Sequence, residues 1–563
     1  MLRFVFREER FFLILSVFIG IFAGLAVVCF RYAIELCHIY LLRSEIAASP
    51  WRLILTPTLA GLVIGVLVLH VFPLARGSGV NQTKAALYIF NGYIPFRTAI
   101  GKFITSSLAI GSGHSLGPED PSLQIGAGLA SALGRRLHLS RERMRLIAPV
   151  GAAAGLAAAF NAPISAVLFV IEEVIGRWSA GILGSIVLSA VSSVVVMRWF
   201  LGSQPLFRIP PVELIRPGEL ITYAALGVAG GLASVVFSSG IGFLRPRLKK
   251  MPRWTQYFQP ALAGLAIGCI AVLGAPQVMG AGYEFIDQAI HNQFTWEFLG
   301  ILVVLKIVAT ICSFVTGTPG GMFAPTLFIG AMLGAFAAGL EHNLFPHLAI
   351  STGTYAMVGM GVLFAGFLRA PMTSVFMVLE VSGNYSIILP VIVANTFAYV
   401  ISRALQPVPI FDMLTRQDGL DLPSMEEQRE EDVLRVEDAM REPPNLVLDA
   451  EQTIRQAVQQ LNGVEAENIL VRRHRTGWNT VTSSELRTML SEGNGELSVL
   501  SALPVREIPY LHPDHSLDVA MRYVYRWPVV PVVSRADLGK LEGILSKEDV
   551  LKGYQAVEQE LQV

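Results

Sequence analysis

Between residues 11 and 403 the chain scarcely leaves apolar sequence, and that property decides most of what it can fold into. Runs long enough to cross a bilayer, or nearly so, recur at 11–30, 53–71, 182–200, 221–241, 260–273, 298–315 and 387–401. Of the 563 residues, 53% are hydrophobic and only 15% charged, with a mean hydropathy of +0.54, well outside the soluble range. The expected fold class is an all-α polytopic membrane protein. Many of the runs are cut by Gly or Pro, and such breaks are tolerated at membrane depth only where they are buried in protein or line a cavity. The formal net charge of +0 and the absence of a basic block give no reason to expect nucleic acid as a partner. The N-terminal MLRFVFREER is followed by an apolar stretch longer than a signal-peptide core, with no clear small-residue cleavage site, so the first span is expected to be retained. Arginine-rich stretches at 134–145 and 245–253 mark cytoplasmic connections. The four cysteines lack metal-ligand spacing, so packing roles and no metal site are expected.

The apolar region repeats itself. PSLQIGA at Pro121 returns as PTLFIGA at Pro325, and APISAVLFVIE, ending at Glu172, returns as APMTSVFMVLE, ending at Glu380. Two matched motifs in the same order at similar spacing indicate duplication, which places a binding site at the interface of the halves. After Pro409 the composition turns polar and charged. From about Val436 a β-α-β-β-α order runs twice, a compact α/β pair of ordinary domain size.

Three glycine-rich breaks carry the chemistry: RGSGVNQTK (76–84), LGPEDP (116–121) and TPGGMFAP (318–325). Glycine lets main chain approach a ligand closely. The last two loops have no basic side chain, so an anion there would be held by N–H groups and hydroxyls, which suits an ion that must also leave. Glu119 is a carboxylate in strongly apolar surroundings, costly unless it lines water or finds partners. Pro121 suits a helix first turn, so a helix is expected to start near Glu119. Glu119 then reads as the protein's own anion at that helix end, in competition with a dissolved one. Lys102 and Lys306 read as structural lysines, paired with carbonyls or snorkelling, ahead of a transport role, and His114 as a packed neutral side chain.

These breaks, with AAGLAAAFNAPISAVLFVIEE (153–173) and GMGVLFAGFLRAPMTSVFMVLE (359–380), resemble the CLC family of chloride channels and proton/chloride antiporters from about residue 11 to 416. The resemblance implies the inverted-repeat CLC fold of broken and tilted helices, a homodimer with one anion pathway per subunit. It implies that chloride is held by Ser78 and Gly79 and by the main-chain N–H groups of Met322 and Phe323. It also implies that Glu119 is the gating glutamate, Glu173 the internal proton-transfer glutamate, and Phe411 the counterpart of the pore-lining tyrosine. The competing reading of Glu173 is a helix-end carboxylate satisfied by a neighbouring arginine. The chain departs from the family pattern at Pro118, where a basic residue is usual, and at Asp120, where glycine is usual. Asp120 would place a second negative charge at the outer mouth. Asn81 stands for a frequent proline, and Phe411 cannot donate a hydrogen bond to chloride.

The C-terminal pair resembles tandem CBS domains, most clearly in GILSKEDV (543–550). That implies no required cofactor and two readings of the pair: a site that can hold an adenine nucleotide at Ser546 and Asp549, with Ser484 and Glu485 as the fainter copy, or a pair that binds nothing and serves as a dimer contact. The domains expected are 1–410 for the membrane part, 411–435 for a linker and 436–555 for the CBS pair. The activity expected is secondary active proton/chloride exchange, with a passive voltage- or pH-gated chloride channel as the alternative; a fluoride exporter and a ligand sensor with a membrane anchor are weaker. It is not an enzyme, and no P-loop is present. The expected location is the plasma (inner) membrane, with the CBS pair cytoplasmic.

Overall fold

Backbone polar groups in a bilayer must be satisfied within their own segment, which is why the apolar runs become helices. The computed structural model describes residues 2–42, 49–176, 180–207, 218–344, 351–420, 422, 435–461, 468–473, 477–499 and 507–560. The chain divides into two units, Met1–Gln417 and Asp418–Val563. Phe411–Gln417, assigned from the sequence to the linker, are helical and belong to the first unit; residues 421 and 423–434 of that linker lie outside the described residues.

In the first unit, one half comprises α1 (Leu2–Leu41), α2 (Pro50–Val66), α3 (Gly79–Tyr88), α4 (Phe96–Gly111), α5 (Glu119–Arg136), α6 (Arg141–Phe160), α7 (Pro163–Phe169) and α8 (Ala180–Leu201). The other comprises α9 (Glu219–Lys250), α10 (Gln259–Val272), α11 (Tyr283–Ile290), α12 (Trp296–Val315), α13 (Phe323–Leu344), α14 (Thr352–Leu368), α15 (Pro371–Ser382) and α16 (Ile388–Leu405), and α17 (Ile410–Gln417) follows. The order of long and short helices is the same in both. Eight helices among the described residues are long and apolar enough to cross a membrane.

The halves are tied at their repeated motifs. Gly117 and Gly321 exchange main-chain hydrogen bonds at 2.8 Å each way in an antiparallel bridge, so α5 and α13 begin side by side. Each repeated glutamate caps the other half's helix. Glu172 accepts from Met372 N (3.2 Å), Thr373 N (2.9 Å) and the Thr373 hydroxyl (2.5 Å) at the start of α15. Glu380 accepts from Ile164 N (3.0 Å), Ser165 N (2.7 Å) and the Ser165 hydroxyl (2.5 Å) at the start of α7. These groups would otherwise be unpaired helix-end donors. Within each half the tightest packing also matches: Gly126 on Gly151 brings α5 against α6, and Gly330 on Gly359 brings α13 against α14, with no room for a Cβ.

The second unit holds the expected pair. One copy has β1 (Leu448–Asp449), β2 (Ile469–Arg473) and β3 (Gly477–Val481) in that sheet order, with helices Ile454–Gln460 and Ser483–Ser491. The other has β4 (Val530–Val533) antiparallel to β5 (Leu541–Leu545), with helices Leu517–Val524 and Lys547–Glu560. Each copy has its own apolar core, around Ile454, Val471 and Leu486 in one and Leu517, Val532 and Leu545 in the other. The segment around Val436, expected to open the first copy, packs into the core of the second, with Arg441 and Ile544 exchanging main-chain hydrogen bonds at 2.9 and 3.0 Å.

Candidate anion-binding site

The chain breaks where the two repeats meet, and the helices that follow supply free N–H groups. α5 begins at Glu119 and α13 at Phe323, as the repeat predicts. Glu119 is fully buried (0% exposed), and its Oε2 accepts from Ala324 N at 3.3 Å. Its own main-chain N–H also faces the carboxylate. The side chain therefore does more than sit at its own helix end: it reaches across the Gly117–Gly321 bridge to the first turn of the partner helix. That refines the sequence expectation, which named Met322 and Phe323 but missed Ala324. The signal was available, because the second residue of a helix beginning at Phe323 presents an unpaired N–H. Gly117 lies so close to Oε2 that any side chain at that position would displace the carboxylate. Oε1 has no hydrogen-bond partner among the described residues.

Ser78 caps α3, its Oγ accepting from Val80 N at 3.2 Å. Asp120, expected at the outer mouth, is instead 2% exposed and turned toward this cap, where its Oδ1 lies 3.3 Å from Ser78 Oγ. Phe411 is buried with its ring against Phe323 and Phe169, at centroid distances of 6.3 and 6.2 Å. Its carbonyl accepts from Asn81 Nδ2 at 3.1 Å, which ties α17 to α3. Ser78, Gly79, Glu119, Phe323 and Phe411 thus come from distant stretches to one region built around the two glycine breaks.

Positive charge arrives from outside the loops. Arg31 on α1 acts electrostatically on Glu119, and Arg31 and Pro118 line a cavity of about 540 Å³ with His38 and Tyr283. Lys102 and Lys306 are pinned by carbonyls, the first of the two structural readings expected of them. Lys102 donates to Gly77 O (2.5 Å) and Ala75 O (3.2 Å), and Lys306 to Val278 O and Gly280 O (2.9 Å each). Their matching positions expose a fourth glycine break, Met279–Tyr283, the repeat partner of the Ser78 loop, which sequence reading did not single out. His114 is buried, with Nε2 3.1 Å from Pro57 O.

Glu173 lies in a π-helical turn, Val170–Ile175, and is 3% exposed. Among the described residues no arginine satisfies it. Its partner is Lys84 of α3, at 3.4 Å, and the same ammonium lies 3.0 Å from Asp412 of α17. Lys84 is 1% exposed, so one buried cation holds two buried carboxylates, an arrangement the separate motifs did not reveal. Phe169, one turn before Glu173, packs edge-on against Phe323 at 5.0 Å, and Phe411 lies against both rings.

In the second unit, Ser546 and Asp549 bind each other. Asp549 Oδ2 accepts from Ser546 N (2.8 Å), Ser546 Oγ (2.6 Å) and Arg441 Nε (3.0 Å). In the first copy the equivalent capping pair is Thr482 with Glu485, so Thr482 rather than Ser484 corresponds to Ser546.

Repeated halves, broken helices and an acid seated on helix-end amides define a membrane ion-transport protein rather than an enzyme. Residues 60–403 match the family model described as "Voltage gated chloride channel", and residues 500–556 match the CBS domain. The chain belongs to the CLC family. It is 32% identical to a putative chloride channel protein ClcB-like from Ralstonia nicotianae, over 72% of this chain and 97% of that one. It is 31% identical to the H(+)/Cl(-) exchange transporter ClcA of Vibrio cholerae, over 71% of this chain and 88% of that one. The crystal structure of a slow cyanobacterial Cl-/H+ antiporter shares the fold at TM-score 0.67 and 24% identity, covering 74% of this chain and 99% of that chain. A eukaryotic CLC transporter structure does so at TM-score 0.67 and 20% identity, over 98% of this chain and 99% of that chain.

Proposed function

We propose that the protein exchanges chloride for protons across its membrane, with Glu119 as the gate. The observation that carries this reading is the fully buried Glu119 carboxylate on the Ala324 N–H at the start of α13. Helix-end amides of this kind suit any small anion, so carboxylate and chloride compete for them. Burying a charge without full pairing is costly, and a proton on Glu119 removes that cost and frees the side chain to leave. Chloride then meets the Ser78 hydroxyl and the N–H groups of Gly79, Met322 and Phe323, with the Phe411 ring as an apolar wall. Glu173 takes up the proton, with Lys84 setting its charge balance. The exchange transporter ClcA of Vibrio cholerae, similar across most of the membrane unit, supports exchange over a channel.

The test is simultaneous recording of both ions from the purified protein in liposomes. An imposed chloride gradient is expected to drive protons against their own gradient. Chloride flux that leaves the proton gradient untouched would replace exchange by the channel reading.

The CBS copy supports an adenine nucleotide at Ser546 and Asp549, for which Arg441 would have to give way. Raised melting temperature of the full chain with ATP, abolished by Ser546→Ala, is the expected result; no shift removes the ligand. The family resemblance and the arginine-rich stretches support a homodimer in the plasma (inner) membrane with the CBS pair cytoplasmic. Light scattering of the detergent-solubilised protein is expected to give twice the chain mass, and protease is expected to reach the CBS pair only in inside-out vesicles.

A further inference from the structure

The first turn of α5 carries a second acid whose side chain serves a different seat. Asp120 Oδ1 accepts from Val80 N at 2.9 Å and from the Ser78 hydroxyl at 3.3 Å, and Gly79 N–H bonds the same side chain. These are the hydroxyl and the first amides of α3, donors of the kind an anion uses at a helix start. The main chain is drawn tightly around the carboxylate. A Cβ at Gly79 would meet Asp120 O at 2.6 Å, and one at Gly321 would meet Asp120 Cβ at 2.7 Å. Lys102 lies behind the same loop, fixed by Ala75 O and Gly77 O, and its charge acts on Asp120. Its neighbour Glu119 is a further charge facing Asp120.

We infer that Asp120 is a second tethered anion that holds the Ser78–Gly79–Val80 seat against chloride, as Glu119 holds the α13 seat. This rests on reading Ser78 and Gly79 as chloride ligands. Chloride enters that seat only when the Asp120 carboxylate swings out, so the protein's affinity for chloride is set by competition with its own side chain. Glycine, usual in the family at this position, offers no such competitor. A carboxylate that only caps α3 would behave differently: its loss would weaken the fold and leave chloride affinity where it was.

Calorimetric titration of the purified full-length protein with chloride tests this. Removing a charge-assisted competitor is expected to tighten chloride binding about tenfold or more in Asp120→Asn and in Asp120→Gly. Unchanged affinity in either folded variant overturns the inference. Should both variants fail to fold, Ser78→Ala keeps every charge and decides the matter. Its hydroxyl is already engaged by Asp120, so its loss weakens carboxylate and chloride together and leaves apparent affinity nearly unchanged; a large loss of chloride affinity overturns the inference. Radiolabelled chloride uptake by the unaltered protein is run alongside. No uptake there removes the transport reading itself, whereas uptake with insensitive Asp120 variants removes only this inference.

Discussion

Lys84 illustrates how much a single side chain decides in the membrane unit. Its ammonium is 1% exposed and stands between Glu173 and Asp412. Removing one member of a buried charge group leaves the others uncompensated. Lys84→Met is therefore expected to cost about 3–5 kcal/mol of stability, seen as a lower melting temperature in detergent; a wild-type melt would show that the triad is not held as described. Glu173→Gln keeps the shape and removes the titratable group. Proton movement is expected to stop while chloride continues, and proton flux at the wild-type rate would remove Glu173 from the pathway. Much at this scale was legible beforehand. Glu119 was distinctive because a carboxylate among apolar residues needs a reason. Lys84 was not, because its partners lie on α7's π-turn and on α17, far away in the chain. Asp120 was visible as a departure, but its direction depends on how closely Gly79 and Gly321 let the main chains approach.

At the level of elements, the reciprocal caps are the clearest consequence of duplication. Glu172→Ala strips α15 of an acceptor for two amides and a hydroxyl, and Glu380→Ala does the same to α7. Each is expected to destabilise the protein by about 1–3 kcal/mol, with similar effects from the two; a melting temperature unmoved by either substitution would contradict the capping role. In the CBS pair, burial alone would raise the Asp514 carboxyl, but Arg535 at 2.7 Å, with His515 and His512 nearby, holds it below its usual value. A depressed folded value gives stability that is present above the unfolded pKa of about 3.9 and is lost as pH falls through the folded one. Asp514→Asn in the full chain is expected to lose about 2 kcal/mol of hydrogen-exchange protection across β4. The deficit is expected at neutral pH and to close in acid below the ordinary carboxylate value of about 3.9. A deficit that persists unchanged well below that value, or no deficit at neutral pH, would show that the Asp514 carboxylate does not hold this contact.

For the whole molecule, the two-unit division and the paired halves followed from hydropathy and from two motifs recurring in order. The apolar runs all became helices, since nothing else satisfies their backbone in lipid. What could not be read was how the halves meet. The Gly117–Gly321 bridge sets it, and with it the reach of Glu119 to Ala324, a contact between residues 205 positions apart. Likewise the segment at Val436 precedes the first CBS copy in the chain yet completes the second core, which no local pattern announces. The central claim is that a carboxylate and chloride alternate at the amides opening α13. Paired chloride and proton flux recorded from Glu119→Gln in liposomes tests it most directly. Chloride is expected to keep moving, at a rate indifferent to pH and with no accompanying protons; proton exchange that persists, or chloride flux that keeps the pH profile of the unaltered protein, would contradict it.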